Sequence, residues 1–344
     1  MSDHDPRDDR DDYLWDGGGA VDPDVARLEG ARSPGCAIAA RRRRCRRARP
    51  RRWPYAAAAA VVAAAAVAAV VVLGLLRRAP DPGPPPLACA APAPAGGFRF
   101  EATAGAPRCG GDIVAAGWLP VGGAIETGRD DHVRVQVADI GQIELGGDSR
   151  LALVGTGAAE HRLALDRGRL HARVSAPPRL FVIDTPSATA VDLGCEYDLE
   201  VGPDGAGALR VTSGVVELEG HGRTVVVPMG AGAVTRPGAG PGTPWAIDAA
   251  PALRGALARL DRDPADPAAL DEVLRLAVAR DSVSLWNLLA VVAPAARGRI
   301  FDRLAALDTP PEWVLRDDVV AGDPTAIARL REYLEGTWLH PEVP

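Results

Sequence analysis

The chain has no lysine: all 39 basic residues among its 344 are arginine. Alanine, glycine and proline are abundant, so the missing lysine reflects a GC-rich coding bias, and arginine and alanine counts say little about chemistry. Other absences are more informative. There is no Gly-rich phosphate loop, no His-x-x-x-His pair and no closely spaced carboxylate motif, so the usual signs of phosphate cradling, metal-assisted hydrolysis and paired acid–base chemistry are missing. Cysteine is sparse at five residues and histidine at six. His132, His161, His171, His221 and His340 are scattered among strands and at the tail, which reads as solvated or strand-face histidine. No catalytic residue, metal ligand or cofactor is expected from these patterns.

What is present is unevenly distributed. The net charge of −6 hides ten acids against three arginines in residues 1–31 and nine arginines in the twelve positions 41–52. The next feature explains the basic cluster. Ala56 to Leu76 is an unbroken run of Ala, Val, Leu and one Gly with no polar side chain. At about 1.5 Å per residue such a helix spans roughly 30 Å, the thickness of a bilayer's hydrocarbon core. Trp53 and Tyr55 lie at its front edge, and only Arg77 and Arg78 follow it. The positive-inside bias then puts the N-terminus in the cytoplasm and everything after Leu76 outside, in a bacterial inner membrane. A nucleic-acid patch explains the arginines less simply, so no direct nucleic-acid partner is expected.

The expected division is therefore a cytoplasmic segment at 1–52, a transmembrane helix with its flanks at 53–78, and a linker at 79–97 that is rich in proline. A β domain at 98–242 and an α-helical domain at 245–344 follow. Within the leader, Asp22 caps a short helix with Pro23 at its first position, and Val25 and Leu28 share a face. The order Tyr13-Leu14, glycine, Asp22-Pro23, Leu28-Glu29 resembles the start of the small helical domains with which anti-sigma factors hold a sigma factor. In zinc-binding members of that group a His-x3-Cys-x2-Cys motif follows, whereas Cys36 and Cys45 stand well apart here with no histidine nearby. A zinc site is not supported. The partner-binding candidates in the leader are Tyr13, Leu14, Trp15, Val25 and Leu28.

From about Phe98 to Val234 the sequence runs in short alternating stretches, such as Val133-Arg134-Val135-Gln136-Val137 and Leu209-Arg210-Val211. Turn signals lie at Gly146-Gly147-Asp148, Gly168, Pro177-Pro178, Pro203-Asp204-Gly205 and Gly220-His221-Gly222. This pattern predicts an all-β domain, an antiparallel sandwich or roll of about ten to twelve strands. Asp139 to Leu145, Gly147-Asp148-Ser149-Arg150-Leu151, Leu165 to Gly168, Phe181 to Pro186, Val191 to Leu199, Leu209 to Leu218 and a Val227-to-Gly230 turn follow in order. That order resembles the FecR domain of membrane regulators in bacterial iron-uptake signalling. Where the family usually has Leu-Gly-Thr and then an aromatic two places on, this chain has Leu193, Gly194, Cys195 and Tyr197. The resemblance implies that Cys195 fills a structural turn and has no catalytic role.

A nucleophilic cysteine needs a base in reach, and the neighbouring histidines, His171 and His221, lie far along the chain on either side of Cys195. Nothing local suggests a triad. Cys89, Cys109 and Cys195 are an odd set beyond the apolar run, so at most one intramolecular disulfide can form among them. Cys89 with Cys109 is the favoured pair, although Cys89 sits in the proline spacer.

From Ala249 onward the apolar period changes from two to 3.6. Leu253, Leu257 and Leu260 share a face, as do Leu270, Val273, Leu274 and Ala277, then Ile300, Leu304 and Leu307, then Ile327, Leu330 and Leu334. Breaks at Asp263-Pro264, Pro294, Pro310-Pro311 and Gly322-Asp323-Pro324 give about five helices of 10 to 14 residues. The stretch SVSLWNLLAVV at 282–292 is apolar nearly all round and reads as the central helix. Trp286, Trp313 and Trp338 are packing anchors in one reading and a partner surface in another.

Taken with the resemblance, these features imply a single-pass inner-membrane regulator, not an enzyme, that relays an outside signal to a cytoplasmic sigma factor. An outer-membrane or periplasmic signalling protein is a further implied partner. The alternative is a membrane-tethered binding or structural β module with no sigma-factor contact.

Overall fold

The computed structural model describes Cys89 and residues 96–339. The leader with Tyr13, Leu14, Trp15, Val25 and Leu28, the apolar run at 56–76 and most of the linker lie outside the described residues. Among the described residues, no helix is long and apolar enough to cross a membrane.

Eighteen strands and six α-helices follow one another in chain order among the described residues. The strands are β1 (Phe98–Ala104), β2 (Arg108–Cys109), β3 (Asp112–Ile113), β4 (Ala116–Leu119), β5 (Ala124–Glu126), β6 (His132–Val137), β7 (Gly141–Leu145), β8 (Arg150–Thr156) and β9 (His161–Val174). They continue with β10 (Phe181–Asp184), β11 (Thr189–Asp192), β12 (Glu196–Val201), β13 (Gly207–Ser213), β14 (Val215–Gly220), β15 (Arg223–Pro228), β16 (Ala231–Arg236), β17 (Gly240–Pro241) and β18 (Trp245–Ala246). Sixteen of them fall before residue 237, against the expected ten to twelve. Most of the excess is in β2, β3 and β5, which are too short to show a period of two.

Two sheets face one another. The first runs β4-β1-β6-β7-β9-β12-β13-β16, with β17 and β18 pairing on β16. The second runs β3-β2-β5-β8-β9-β10-β11-β14-β15. Alternation does what was expected of it. Val133, Val135 and Val137 are buried along β6, as are Leu163, Leu165, Leu170 and Ala172 along β9, and each fully buried aliphatic side chain contributes about 1.5–3 kcal/mol. One pairing departs from the antiparallel expectation, because β10 lies parallel to β9.

β9 belongs to both sheets. Its first half pairs with β8 and β10 and its second half with β7 and β12. Gly168 stands at the crossing, so it is a bend within a 14-residue strand and not the turn its sequence context predicts. Its φ of +94° is one that only glycine adopts without strain, and a Cβ there would overlap the backbone of Ser149. The other turn signals fall between strands as read. At the β14–β15 hairpin, both His221 and Gly222 have positive φ, the two-residue turn that suits twisted strands.

The pairings also reveal an internal repeat. β5 in the second sheet leads to the β6–β7 hairpin in the first, then to β8 back beside β5, then to β9 through both sheets. β11 leads in the same way to the β12–β13 hairpin, to β14 beside β11, to β15 in the second sheet and β16 in the first. Gly230, at φ +75°, breaks β15 from β16 where Gly168 only bends β9. β10 joins the two units.

The helices are α1 (Pro251–Leu260), α2 (Pro267–Leu276), α3 (Ser282–Leu288), α4 (Pro294–Leu307), α5 (Arg316–Ala321) and α6 (Pro324–Leu339). They are more numerous and more varied in length than the evenly sized set the sequence predicts, from 6 residues in α5 to 16 residues in α6. Pro251, Pro267, Pro294 and Pro324 each begin a helix instead of ending one, as suits a residue with fixed φ and no N–H. α3 is central, as its sequence implies. Asn287 on α3 donates to the Val226 carbonyl at 3.1 Å and accepts from the Val226 amide at 2.9 Å, which completes the open edge of β15.

α3 and α6 also cover the outer face of the second sheet at β15. Val226 on that face is therefore as buried as the core residues beside it, and Val182 and Val191, in line with it across the sheet, are buried as well. Trp286 and Trp338 meet edge to face at 6.2 Å, and their ring N–H groups donate to the Ile327 carbonyl and the Ser282 hydroxyl. These two are packing anchors. Trp313 is 47% exposed.

Two outcomes test this architecture. Gly168→Ala should cost on the order of 3 kcal/mol or more in urea unfolding, through a strained backbone and overlap with Ser149. Asn287→Leu should cost about 1–3 kcal/mol for each of the two Val226 groups it strands, whereas Asn287→Gln should recover part of the loss.

Candidate functional site

Two places on the β domain hold polar groups that the core does not require. The first is the corner at Asp192-Leu193-Gly194-Cys195, where the chain leaves β11 in one sheet and enters β12 in the other. Gly194 makes the corner with φ +92°. The Asp192 side chain folds back over it, accepting the Gly194 amide at 2.6 Å and the Cys195 thiol at 2.5 Å. Cys195 also accepts the Val174 amide through its carbonyl, tying the corner to the end of β9.

All three polar side chains at this corner are buried, with Asp192 1%, Cys195 4% and Tyr197 0% exposed. No cation pairs with Asp192 among the described residues. Burial therefore pushes its carboxyl up to about 6, while the bonds from Cys195 and the backbone amides pull the other way. Burial, and after it the Asp192 charge, raises the Cys195 thiol far above its ordinary value. The Tyr197 hydroxyl is raised by burial and by its proximity to Asp192 and Cys195, and it has no hydrogen-bond partner among the described residues. A thiol nucleophile requires the opposite environment, electropositive and accessible. Cys195 sits in a structural turn, as its sequence context implies.

The second place is the outer face of the first sheet. A groove of about 700 Å³ crosses it, walled at one end by Trp245, Ile247 and Arg254. Across its floor Arg134, Glu144, His171, Asp198 and Arg210 stand opposite one another on successive strands, and Glu101 on β1 continues the row beyond the groove. Carboxylates thus alternate with arginine or histidine along the row. Arg134 reaches Glu101 and Glu144 at 3.4 Å each, and the His171 ring nitrogens face Asp198 at 2.9 Å and Glu196 at 3.1 Å. Exposed pairs of this kind add little stability, but they hold the side chains in one arrangement. The period of two predicted that these positions face outward; nothing in the sequence predicted that strand register would line them up.

The remaining histidines are dispersed. His161 is buried against Phe98 and hydrogen-bonds Thr156, and burial lowers its pKa. His132 is exposed and His221 lies in a turn, while His340 is outside the described residues. Among the described residues, no three His, Cys, Asp or Glu side chains are grouped to hold a metal ion. Cys89 and Cys109 form a disulfide with their Cα atoms 5.6 Å apart, and Cys195 is unpaired.

The family described as FecR protein matches residues 123–217. Two crystal structures of a candidate anti-sigma factor from Parabacteroides distasonis ATCC 8503 are each 16% identical to the chain, over 34% of its length, with a TM-score of 0.31. The chain covers 56% of those structures. No curated protein matches it. The family match begins just before β5 and ends within β14, so it takes in the first structural unit, the linking β10 and the corner at Cys195. Over residues 123–217 the chain carries a FecR domain.

Proposed function

We propose that the protein is a membrane-anchored, non-catalytic regulator whose FecR domain lies outside the cytoplasm and whose leader acts on a sigma factor inside. The observation that carries this reading is the FecR domain at 123–217, placed on the far side of the apolar run from Ala56 to Leu76 and its preceding cluster of arginines. Residues 1–52 are long enough for two or three short helices. Such a segment acts by burying a few apolar anchors on a partner, at an ordering cost of about 2–5 kcal/mol. Trp15 and Leu28 are the strongest anchors available. The groove on the first sheet favours a second reading, a tethered binding module whose leader is only a tail.

Three experiments test these statements. Residues 1–52 expressed alone should capture a sigma factor, and Trp15→Ala with Leu28→Ala should abolish capture; a leader that captures none supports the tethered module. Reporters fused after Val234 and at residue 30 should read outside and inside respectively, and the reverse result would overturn the topology. Cys195→Thr should leave stability within about 1.5 kcal/mol and signalling output unchanged, since threonine can also donate to Asp192. Loss of output with intact folding would instead give Cys195 a chemical role.

A further inference from the structure

The buried corner has a property that its role as a turn does not need. Asp192 is a carboxyl held in the core with a thiol and two backbone amides for company. The charged groups around it are all committed elsewhere. Arg179, whose amide donates to the Asp192 carbonyl, sends its guanidinium to Glu217 and Glu219 on β14. Arg173 at the end of β9 is bonded to Glu196 at the start of β12. Opposite Asp192 on β14 stands Val216. Where the chain enters β12 the neighbouring titratable groups are Cys195, just before the strand, and Tyr197 within it, neither of which bears positive charge. Tyr197 in addition keeps a fully buried hydroxyl without a partner among the described residues.

We propose that Asp192 and Cys195, beside the buried Tyr197 hydroxyl, form a proton-operated lock at the β11–β12 corner, tightened when the carboxyl is protonated and loosened when it is ionised. A neutral carboxyl sits in this apolar surrounding at little cost and gains an O–H to donate. An ionised one keeps the thiol and amide bonds but has no counter-charge to offset its lost hydration. The corner joins the two sheets of the second unit, so loosening it weakens both the pairing of β11 with β14 and that of β12 with β13. The direction follows from the carboxyl lying near 6 in the folded chain against 3.8 when free. The folded state then binds the extra proton between those values, and stability falls as pH rises through that window and levels off above it.

The test uses the full chain in detergent micelles, with chemical unfolding followed between pH 4 and pH 7.5. In the wild type, the folding equilibrium should weaken about a hundredfold as pH rises from 4 to 7, the change expected for a shift of roughly two units. Asp192→Asn, which keeps the acceptor for the Gly194 amide, should remove that loss and be the more stable protein at pH 7. Cys195→Ala supplies a second measurement should Asp192→Asn fail to fold. Removing the thiol donor should move the pH window upward, because the carboxylate loses a bond to its charged form. An unchanged pH profile in Asp192→Asn, or in Cys195→Ala if that is the variant that folds, would overturn the proposal, as would a wild-type profile that is flat or rises with pH.

Discussion

The passage of β9 through both sheets is the constraint on which the rest of the β domain depends. A strand of 14 residues that pairs with four neighbours fixes the separation of the two sheets and the register of each at once. The bend requires Gly168, and Ser149 packs where any side chain would go, its hydroxyl accepting the Arg169 amide. Ser149 in turn donates its own amide to Thr127, which bonds the Gly146 carbonyl. A single glycine therefore organises the corner of β9, the β7–β8 turn and the end of β5. The second unit meets the same geometrical demand differently, by ending β15 and restarting as β16.

This difference explains how much was legible in the sequence. Strand faces were readable because a buried interior imposes alternation, and the valines of β6 obey it. The corner at Cys195 was readable because Leu193, Gly194 and Tyr197 follow a family pattern, with cysteine where threonine is usual. Gly168 was misplaced because a glycine in a bent strand and a glycine in a tight turn have the same local signature, and only long-range pairing separates them. The internal repeat left no visible trace for a related reason. Its two units share pairings, and pairings constrain burial at intervals without fixing side-chain identity or loop length.

The helical region shows a second limit of local reading. Periodicity located its buried leucines, yet nothing in a helix's own sequence states which surface it will cover. Here α3 and α6 pack on β15 and Asn287 of α3 closes its open edge, so Val226 loses the solvent face that alternation assigns it. Glu217 on β14 carries the contact further, bonding Arg331 of α6 and Arg179 at 2.8 Å each. Arg223 on β15 and Asp261 after α1 form another such pair at 2.9 Å. The sheet and its helical cover thus share an edge, a face and several ion pairs, and neither surface would be suited to water without the other.

Attachment at the opposite end of the fold follows a complementary logic. Cys109 in β2 belongs to the second sheet and Phe98 in β1 to the first, and the disulfide to Cys89 brings the entering chain to both within a short stretch. In a reducing medium the first sheet alone would hold that entry, through β1. With the disulfide closed, a loop of 20 residues is removed from the unfolded ensemble, and the chain enters at a point where the two sheets are covalently joined. The corner at Asp192 and the bend at Gly168 join the same two sheets further along the chain. A rearrangement that separates the sheets at these points disturbs a buried carboxyl, a glycine bend or a disulfide. The buried carboxyl is the one among them that a proton alone can adjust.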